Sequence, residues 1–247
     1  MRARETVVGC ARRVMVAALA VTAGLILANC GGSAGGGAAG PPRALVGTFE
    51  IQGGRCASSH GAPTGSFLVI VDSAGSKTVG NPAGGCANKY YTPLSPGTER
   101  GIETGRFQEN PTPTFDAHGN SLADAVIKPV SFLGEAIGMA TSPDDVQDAA
   151  SGPAAFSPPA ATVVGTKLTI NLRSLNITYG GAPGSNCVND AGYGCWNLGS
   201  KSATGSYDPK THQFVVQWFV GETFTQLGDS MIVRLEGTFV PKAKSLS

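Results

Sequence analysis

His212-Gln213-Phe214-Val215-Val216-Gln217-Trp218-Phe219-Val220 and, one loop later, Met231-Ile232-Val233-Arg234-Leu235-Glu236-Gly237-Thr238-Phe239 decide the fold. In the first stretch Phe214, Val216, Trp218 and Val220 fall on one side of an extended chain. In the second, Val233, Leu235 and Phe239 fall on one side, and Arg234, Glu236 and Thr238 on the other. A period of two is that of a β-strand with one face buried and one wet. Tyr207 and the turn-forming Asp208-Pro209-Lys210-Thr211 lead into the first of these strands.

Outward from this pair the same grammar recurs. Leu45, Phe49 and Ile51 alternate with Val46, Thr48, Glu50 and Gln52. Gly-Thr-Phe occurs here (Gly47-Thr48-Phe49) and in the last strand (Gly237-Thr238-Phe239), in the same inward and outward phase. The two ends of the chain are therefore expected to pair within one sheet, although three shared residues do not make an internal repeat. Phe67-Leu68-Val69-Ile70-Val71 is apolar throughout and predicts a strand covered on both faces. Between Thr162 and Tyr179 the phase flips: Leu168, Ile170 and Leu172 share one face, Leu175, Ile177 and Tyr179 the next. The flip predicts a bulge or a break at Arg173-Ser174.

Shorter strands are expected at Tyr90-Tyr91 and over Ala136–Ala140. Residues 100–108 are expected to pair with a strand near 126–132, across a turn holding Asp116-Ala117-His118-Gly119-Asn120. Residues 134–162, with Pro143, Pro153, Pro158 and Pro159, read largely as a long irregular connection. No long amphipathic helix period is visible. Many short strands between Gly- and Pro-rich turns predict an all-β fold, an antiparallel β-sandwich or barrel-like domain over residues 44–241 with a tail at 242–247.

The N-terminus carries a different message. Arg2, Arg4, Arg12 and Arg13 stand against Glu5, and an apolar run from Val14 to Ala28 follows. That run is shorter than the roughly 20 residues that span a bilayer, and the pattern is that of a secretory signal peptide. Its end, Leu27-Ala28-Asn29-Cys30, resembles a bacterial lipobox, with Asn29 in place of the usual small residue. The resemblance implies removal of residues 1–29 and acylation of Cys30, hence a membrane partner through an N-terminal lipid. Gly31 rather than Asp after the cysteine favours the outer membrane in a cell that has one. Residues 30–43 are then the lipidated cysteine and a Gly/Ala/Pro tether, with an end-to-end distance of about 20 Å. Cys10 leaves with the signal region.

Residues 1–30 hold four of the 18 Lys and Arg and one of the 17 Asp and Glu, so the remaining 217 residues carry 14 basic and 16 acidic groups, a net charge of −2. Such sparse, scattered charge excludes a nucleic-acid partner. The four cysteines Cys56, Cys86, Cys187 and Cys195 predict two disulfides in an exported chain. Of the three connectivities, Cys56–Cys86 with Cys187–Cys195 is favoured, because each pair shares a Gly-rich neighbourhood. No C-x-x-C pair supports zinc, and no cofactor is expected.

Phe132 to Phe239 resembles a loosely defined group of exported proteobacterial β-rich proteins of unknown function. The shared elements are Phe132-Leu133-Gly134 with Ile137-Gly138, a Pro-rich loop, and Thr166-Lys167-Leu168-Thr169-Ile170-Asn171-Leu172. Gly205-Ser206-Tyr207-Asp208-Pro209, Trp218 and Leu235-Glu236-Gly237-Thr238-Phe239 complete them. The resemblance implies a β-rich exported domain and brings no catalytic residues.

The candidate sites are few. Ser58-Ser59-His60 sets hydroxyls beside an imidazole without the strand–turn–helix context of a nucleophile elbow. His118 falls in a turn and His212 begins a strand. Asp144, Asp145 and Asp148 offer oxygens to calcium but lack the spacing of a calcium loop. Tyr193 and Trp196 are candidates for an aromatic ligand platform, whereas Trp218 reads as core. Asn176-Ile177-Thr178 matches a glycosylation sequon. The expectation is a lipid-anchored envelope protein with a non-catalytic binding or structural role toward an envelope protein or glycan. The alternative is an envelope hydrolase acting on glycan or peptide.

Overall fold

The computed structural model describes residues 40–57, 61, 63–72, 74–77, 80–81, 86–109, 115–143, 156–181, 202–220 and 230–243, and residues 195–197 as backbone. All regular structure among them is strand. In chain order the strands are β1 (Arg43–Leu45), β2 (Gly47–Ile51), β3 (Phe67–Val71), β4 (Tyr91–Pro93), β5 (Gly101–Glu103), β6 (Ile127–Phe132) and β7 (Glu135–Thr141). There follow β8 (Ala160–Val164), β9 (Lys167–Asn171), β10 (Leu175–Thr178), β11 (Cys195–Asn197), β12 (Ser202–Tyr207), β13 (Gln213–Val220) and β14 (Ser230–Pro241).

The strands form two antiparallel sheets. The large sheet runs β1-β8-β9-β12-β13-β14-β2-β5, with β3 and β4 attached beside the first half of β14. The small sheet runs β11-β10-β7-β6. The two chain-end strands pair as the shared Gly-Thr-Phe predicts: Phe239 lies opposite Phe49, and Thr238 opposite Glu50. One residue, Val46, separates β1 from β2, yet β1 pairs with β8 and β2 with β14. A single kinked stretch of chain thus joins the first strand of the run to the next-to-last, and the large sheet curls round on itself in the manner of a barrel. Gly47 makes the kink: its φ is +152°, and a Cβ there would lie 2.2 Å from the Val240 carbonyl oxygen. The buried Thr104 hydroxyl pins it, accepting the Gly47 N–H at 2.9 Å.

Alternation in the sequence becomes the core. Phe214, Val216, Trp218 and Val220 of β13 and Met231, Val233, Leu235 and Phe239 of β14 are buried in one cluster with Phe49 and Ile51 of β2. Ile137 and Met139 of β7 and Leu175 and Ile177 of β10 belong to the same cluster, so one core joins the two sheets. The phase flip at Arg173-Ser174 is a change of sheet: β9 pairs within the large sheet and β10 within the small one. β3 is buried on both faces, with Leu68 and Ile70 in the main core and Val69 and Val71 in a satellite with Tyr91.

One expected pairing is corrected. β5 pairs with β2, and the 127–132 strand pairs with β7 through the two-residue turn Leu133-Gly134. Both turn residues have positive φ, 51° and 107°, the conformation that joins adjacent antiparallel strands with least loop to close. Strand β7 contains the short strand expected over Ala136–Ala140, at the start of the stretch read as largely irregular.

Two buried amides stitch the sheets together. The Gln108 side chain accepts the Glu103 N–H at 2.9 Å and donates to the Gly101 carbonyl at 2.7 Å, while its backbone N–H donates to Thr141 Oγ1 at 2.6 Å. Asn81 donates to Thr92 Oγ1 at 2.6 Å and to the Ser131 carbonyl at 3.0 Å. Cys56 and Cys86 are disulfide-bonded, closing a loop of sequence separation 30 before β4. Cys187, the expected partner of Cys195, lies outside the described residues.

Candidate functional site

At one end of the curled sheet the backbone of β1, the β12–β13 turn and the end of β14 surround an open cleft of about 480 Å³. Local sequence shapes this mouth. The Asp208 carboxylate accepts the backbone N–H of Lys210 at 2.8 Å and of Thr211 at 3.4 Å. Those bonds hold its pKa below the usual carboxylate range, the Lys210 N–H contributing most. The His212 N–H then returns to the Asp208 carbonyl at 2.8 Å, closing the turn. His212 itself has φ +60°, a left-handed conformation that costs a non-glycine residue roughly 1–2 kcal/mol. Strain of this kind is retained where surrounding contacts over-determine it. The His212 carbonyl accepts the Phe239 N–H at 2.8 Å, which ties the turn to β14. Lys242 N–H donates to the Val46 carbonyl at 3.0 Å, so the chain leaves the sheet beside the point where it joins it.

Aromatic rings line a path from the core to the opening. Phe49 packs edge-on against Phe214 at 5.1 Å and tilted against Phe239 at 4.8 Å. Tyr207 meets Phe239 at 6.1 Å and His212 at 6.0 Å. The Arg43 guanidinium lies 5.9 Å above the Tyr207 ring, close enough for a cation–π contact. The cleft therefore has an apolar floor of Leu45, Tyr207 and Phe239 and a rim of Arg43, His212 and Lys242. No Asp or Glu is among the described residues that line it. Among the described residues neither Arg43 nor Lys242 has a carboxylate within 4.0 Å. An apolar floor beneath cations with no carboxylate partner among the described residues can hold an anionic group with an apolar body attached.

The residues singled out in the sequence fare unequally. His212 is half-buried at the mouth, and His118 is exposed in the 116–120 turn. Trp218 is in the core, 2% exposed, and its indole N–H finds no hydrogen-bond partner among the described residues. Asn176 of the sequon is fully buried in β10, which is not where a glycan is attached. Cys30, Ser58, Ser59, His60, Asp144, Asp145, Asp148 and Tyr193 lie outside the described residues. Trp196 is described as backbone, opposite Ile177. The described residues gather no set of three or more His, Cys, Asp or Glu side chains fit to hold a metal ion.

Arg43, Tyr207 and Lys242 were not candidates in the sequence. The signal that reaches them is the repeated Gly-Thr-Phe. Once its two copies pair, Arg43 and Lys242, four residues before Gly47 and five after Gly237, arrive at one end of the sheet. Compared with protein-family models, curated proteins and solved structures, the chain finds no match.

Proposed function

We propose that the protein is a lipid-anchored component of the cell envelope that works as a non-catalytic binding module, held to its membrane by acylated Cys30. The observation that carries the binding role is the mouth: an aromatic floor under two cations that have no carboxylate partner among the described residues, set into a strand-built scaffold. A site formed by strand backbone and packed rings is preorganised, which lowers the ordering cost of binding. The lipobox-like Leu27-Ala28-Asn29-Cys30 supports the anchor, since two or three acyl chains contribute about 0.8 kcal/mol per buried methylene. The long polar stretches of the sequence, such as the Pro-rich one within 134–162, are the basis for an envelope protein or glycan as a further partner.

The test is intact-mass analysis and cell fractionation of the wild type beside Cys30→Ala. The wild type is expected in the membrane fraction, beginning at Cys30 and carrying acyl mass. The variant is expected without acyl mass. A wild type recovered soluble and unmodified would sink the anchor and make the protein a freely exported domain.

A further inference from the structure

We infer that the mouth is the face with which the protein lies on its own membrane: Arg43, His212 and Lys242 receive the phosphate oxygens of anionic lipid headgroups, and Val46 and Val240 meet the interface beside them. The inference rests on the proposed anchor for the source of its ligand, the bilayer in which Cys30 would be held.

Four observations converge on this end of the molecule. The first is charge. Arg43 and Lys242 are exposed and lack carboxylate partners among the described residues, and Lys210 adds an exposed cation in the adjoining turn. Asp208 shares that turn, but it lines a different cleft, and its Oδ1 is occupied by the backbone N–H groups of Lys210 and Thr211. A guanidinium offers phosphate a planar fork of donors, and an ammonium a compact charge. The Tyr207 ring beneath Arg43 restrains the guanidinium at the rim.

The second is apolar exposure. Val46 is 55% and Val240 43% exposed, and they are two of the five large apolar side chains that stand in solvent among the described residues. Thr48, two residues after Val46, lies opposite Val240 across the β2–β14 pair, so both valines belong to the same corner of the sheet. Basic side chains around exposed aliphatic ones are the composition of an interfacial membrane contact.

The third is reach. Arg43 is thirteen residues from Cys30, and a chain of that length extends at most about 45 Å. The mouth is the part of the described structure nearest to the anchor along the chain. An anchored chain therefore meets headgroups at this face at high effective concentration. The fourth is strain. His212 is held at φ +60° at the rim, where glycine would be free of the cost.

Docking of this kind would fix which way the rest of the domain points relative to the lipid.

The full chain, acylated as the cell makes it, is reconstituted in phosphatidylcholine vesicles with and without phosphatidylglycerol, and amide hydrogen exchange is followed. Slower exchange is expected across residues 42–47, 207–213 and 239–243 when phosphatidylglycerol is present. The preference over the neutral surface is expected to be roughly 25-fold, as each of two cations contributes about fivefold. In Arg43→Gln/Lys242→Gln that preference is expected to vanish, with exchange in β13 unchanged to report an intact fold. Equal protection on both vesicle types overturns the inference.

A second arm needs no anchor. The chain in neutral detergent is titrated with dihexanoylphosphatidylglycerol, dihexanoylphosphatidylcholine or inorganic phosphate. Protection by the anionic lipid alone supports the assignment. Equal protection by inorganic phosphate would make the mouth a free-anion site and overturn the lipid surface. No protection in either arm overturns the mouth while leaving acyl mass on Cys30 intact. A chain without acyl mass that still responds to the anionic lipid overturns the anchor and keeps the mouth.

Discussion

The large sheet and the small sheet share one core and are fastened to the molecule by different physics. In the large sheet β13 and β14 pair from Gln213–Thr238 to Val220–Met231, and the inward positions are filled by apolar side chains. Its stability comes from non-directional burial, which scales with area. The small sheet puts Ile137, Met139, Leu175 and Ile177 into that core, but on its other face β10 carries the buried polar side chains Asn176 and Thr178. Thr178 bonds to Ser121 through their hydroxyls, and Ser121 Oγ accepts the Ala123 N–H at 3.1 Å. A Cβ at Gly138 would lie 2.2 Å from the Ala123 carbonyl oxygen, so the 121–123 segment presses directly on the strand. Asn120 accepts the Ala136 N–H at 2.7 Å. Asn176 and the Ser174 hydroxyl are buried on this side without a hydrogen-bond partner among the described residues. Burial tolerates small shifts; directional bonds do not. The small sheet is therefore expected to open first under native conditions, the large sheet last.

The largest effect is expected in the large sheet. Phe49 is fully buried and packs against both Phe214 and Phe239. Phe49→Ala should cost about 3–5 kcal/mol, read as a fall in the urea midpoint at constant slope. A loss below about 1.5 kcal/mol would mean that the aromatic path can collapse around the void, and that the large sheet is not the rigid partner in the comparison.

Next comes the stitch between the sheets. Gln108 is 1% exposed, and its side chain satisfies two backbone groups of β5 while its own backbone bonds to Thr141 of β7. Gln108→Ala leaves the Glu103 N–H and the Gly101 carbonyl without their partner, at a cost of about 2–3 kcal/mol. Hydrogen exchange distinguishes this from a uniform loss. Amides of β7 and β10 should exchange faster than those of β13. If all strands lose protection equally, the two sheets are one cooperative unit and the contrast fails.

A smaller change of opposite sign tests the hairpin that begins the small sheet. Leu133 is 41% exposed with φ +51°, in a turn type where asparagine before glycine is preferred. Leu133→Asn should stabilise by about 1 kcal/mol through relief of that strain. No gain in thermal midpoint would show that the Leu133 side chain makes contacts that offset its backbone.

The same residues explain what was legible. Alternation announced β2, β13 and β14, because one wet face leaves a period in the sequence. The change of sheet at Arg173-Ser174 was legible as a flip of phase, and the pairing of the chain ends as a repeated Gly-Thr-Phe. The β6–β7 hairpin was missed in its pairing because Leu133-Gly134 lacks the asparagine that marks such turns. Asn81 and Gln108 were invisible because a side-chain amide in a loop carries no period; its role is set by chain folded against it from far away. The mouth was half-legible. Leu45 and Phe239 of its floor followed from alternation, whereas Tyr207 was not singled out and the rim needed the pairing of the ends to bring Arg43 and Lys242 together.

The smallest effects are electrostatic, and they separate the two regions by pH. Asp116 and Asp208 both have pKa values held below the usual carboxylate range, Asp116 chiefly by the Asn120 side-chain amide and then by the His118 N–H, Asp208 chiefly by the Lys210 N–H. A carboxylate whose pKa is lower in the folded than in the unfolded chain adds stability that is fully present above the unfolded value, about 3.9. That stability is lost as the pH falls through the folded value. Asp116 orders the turn that carries Asn120 to β7, and Asp208 orders the turn at the mouth. Acid should therefore loosen each turn separately. Asp116→Asn is expected to flatten the acid dependence of exchange in β7 while leaving the 207–213 amides as they were. Asp208→Asn should do the reverse. If either substitution flattens both, the turns titrate with the core as a whole, and the distinction between a burial-held sheet and a bond-held sheet does not extend to their loops.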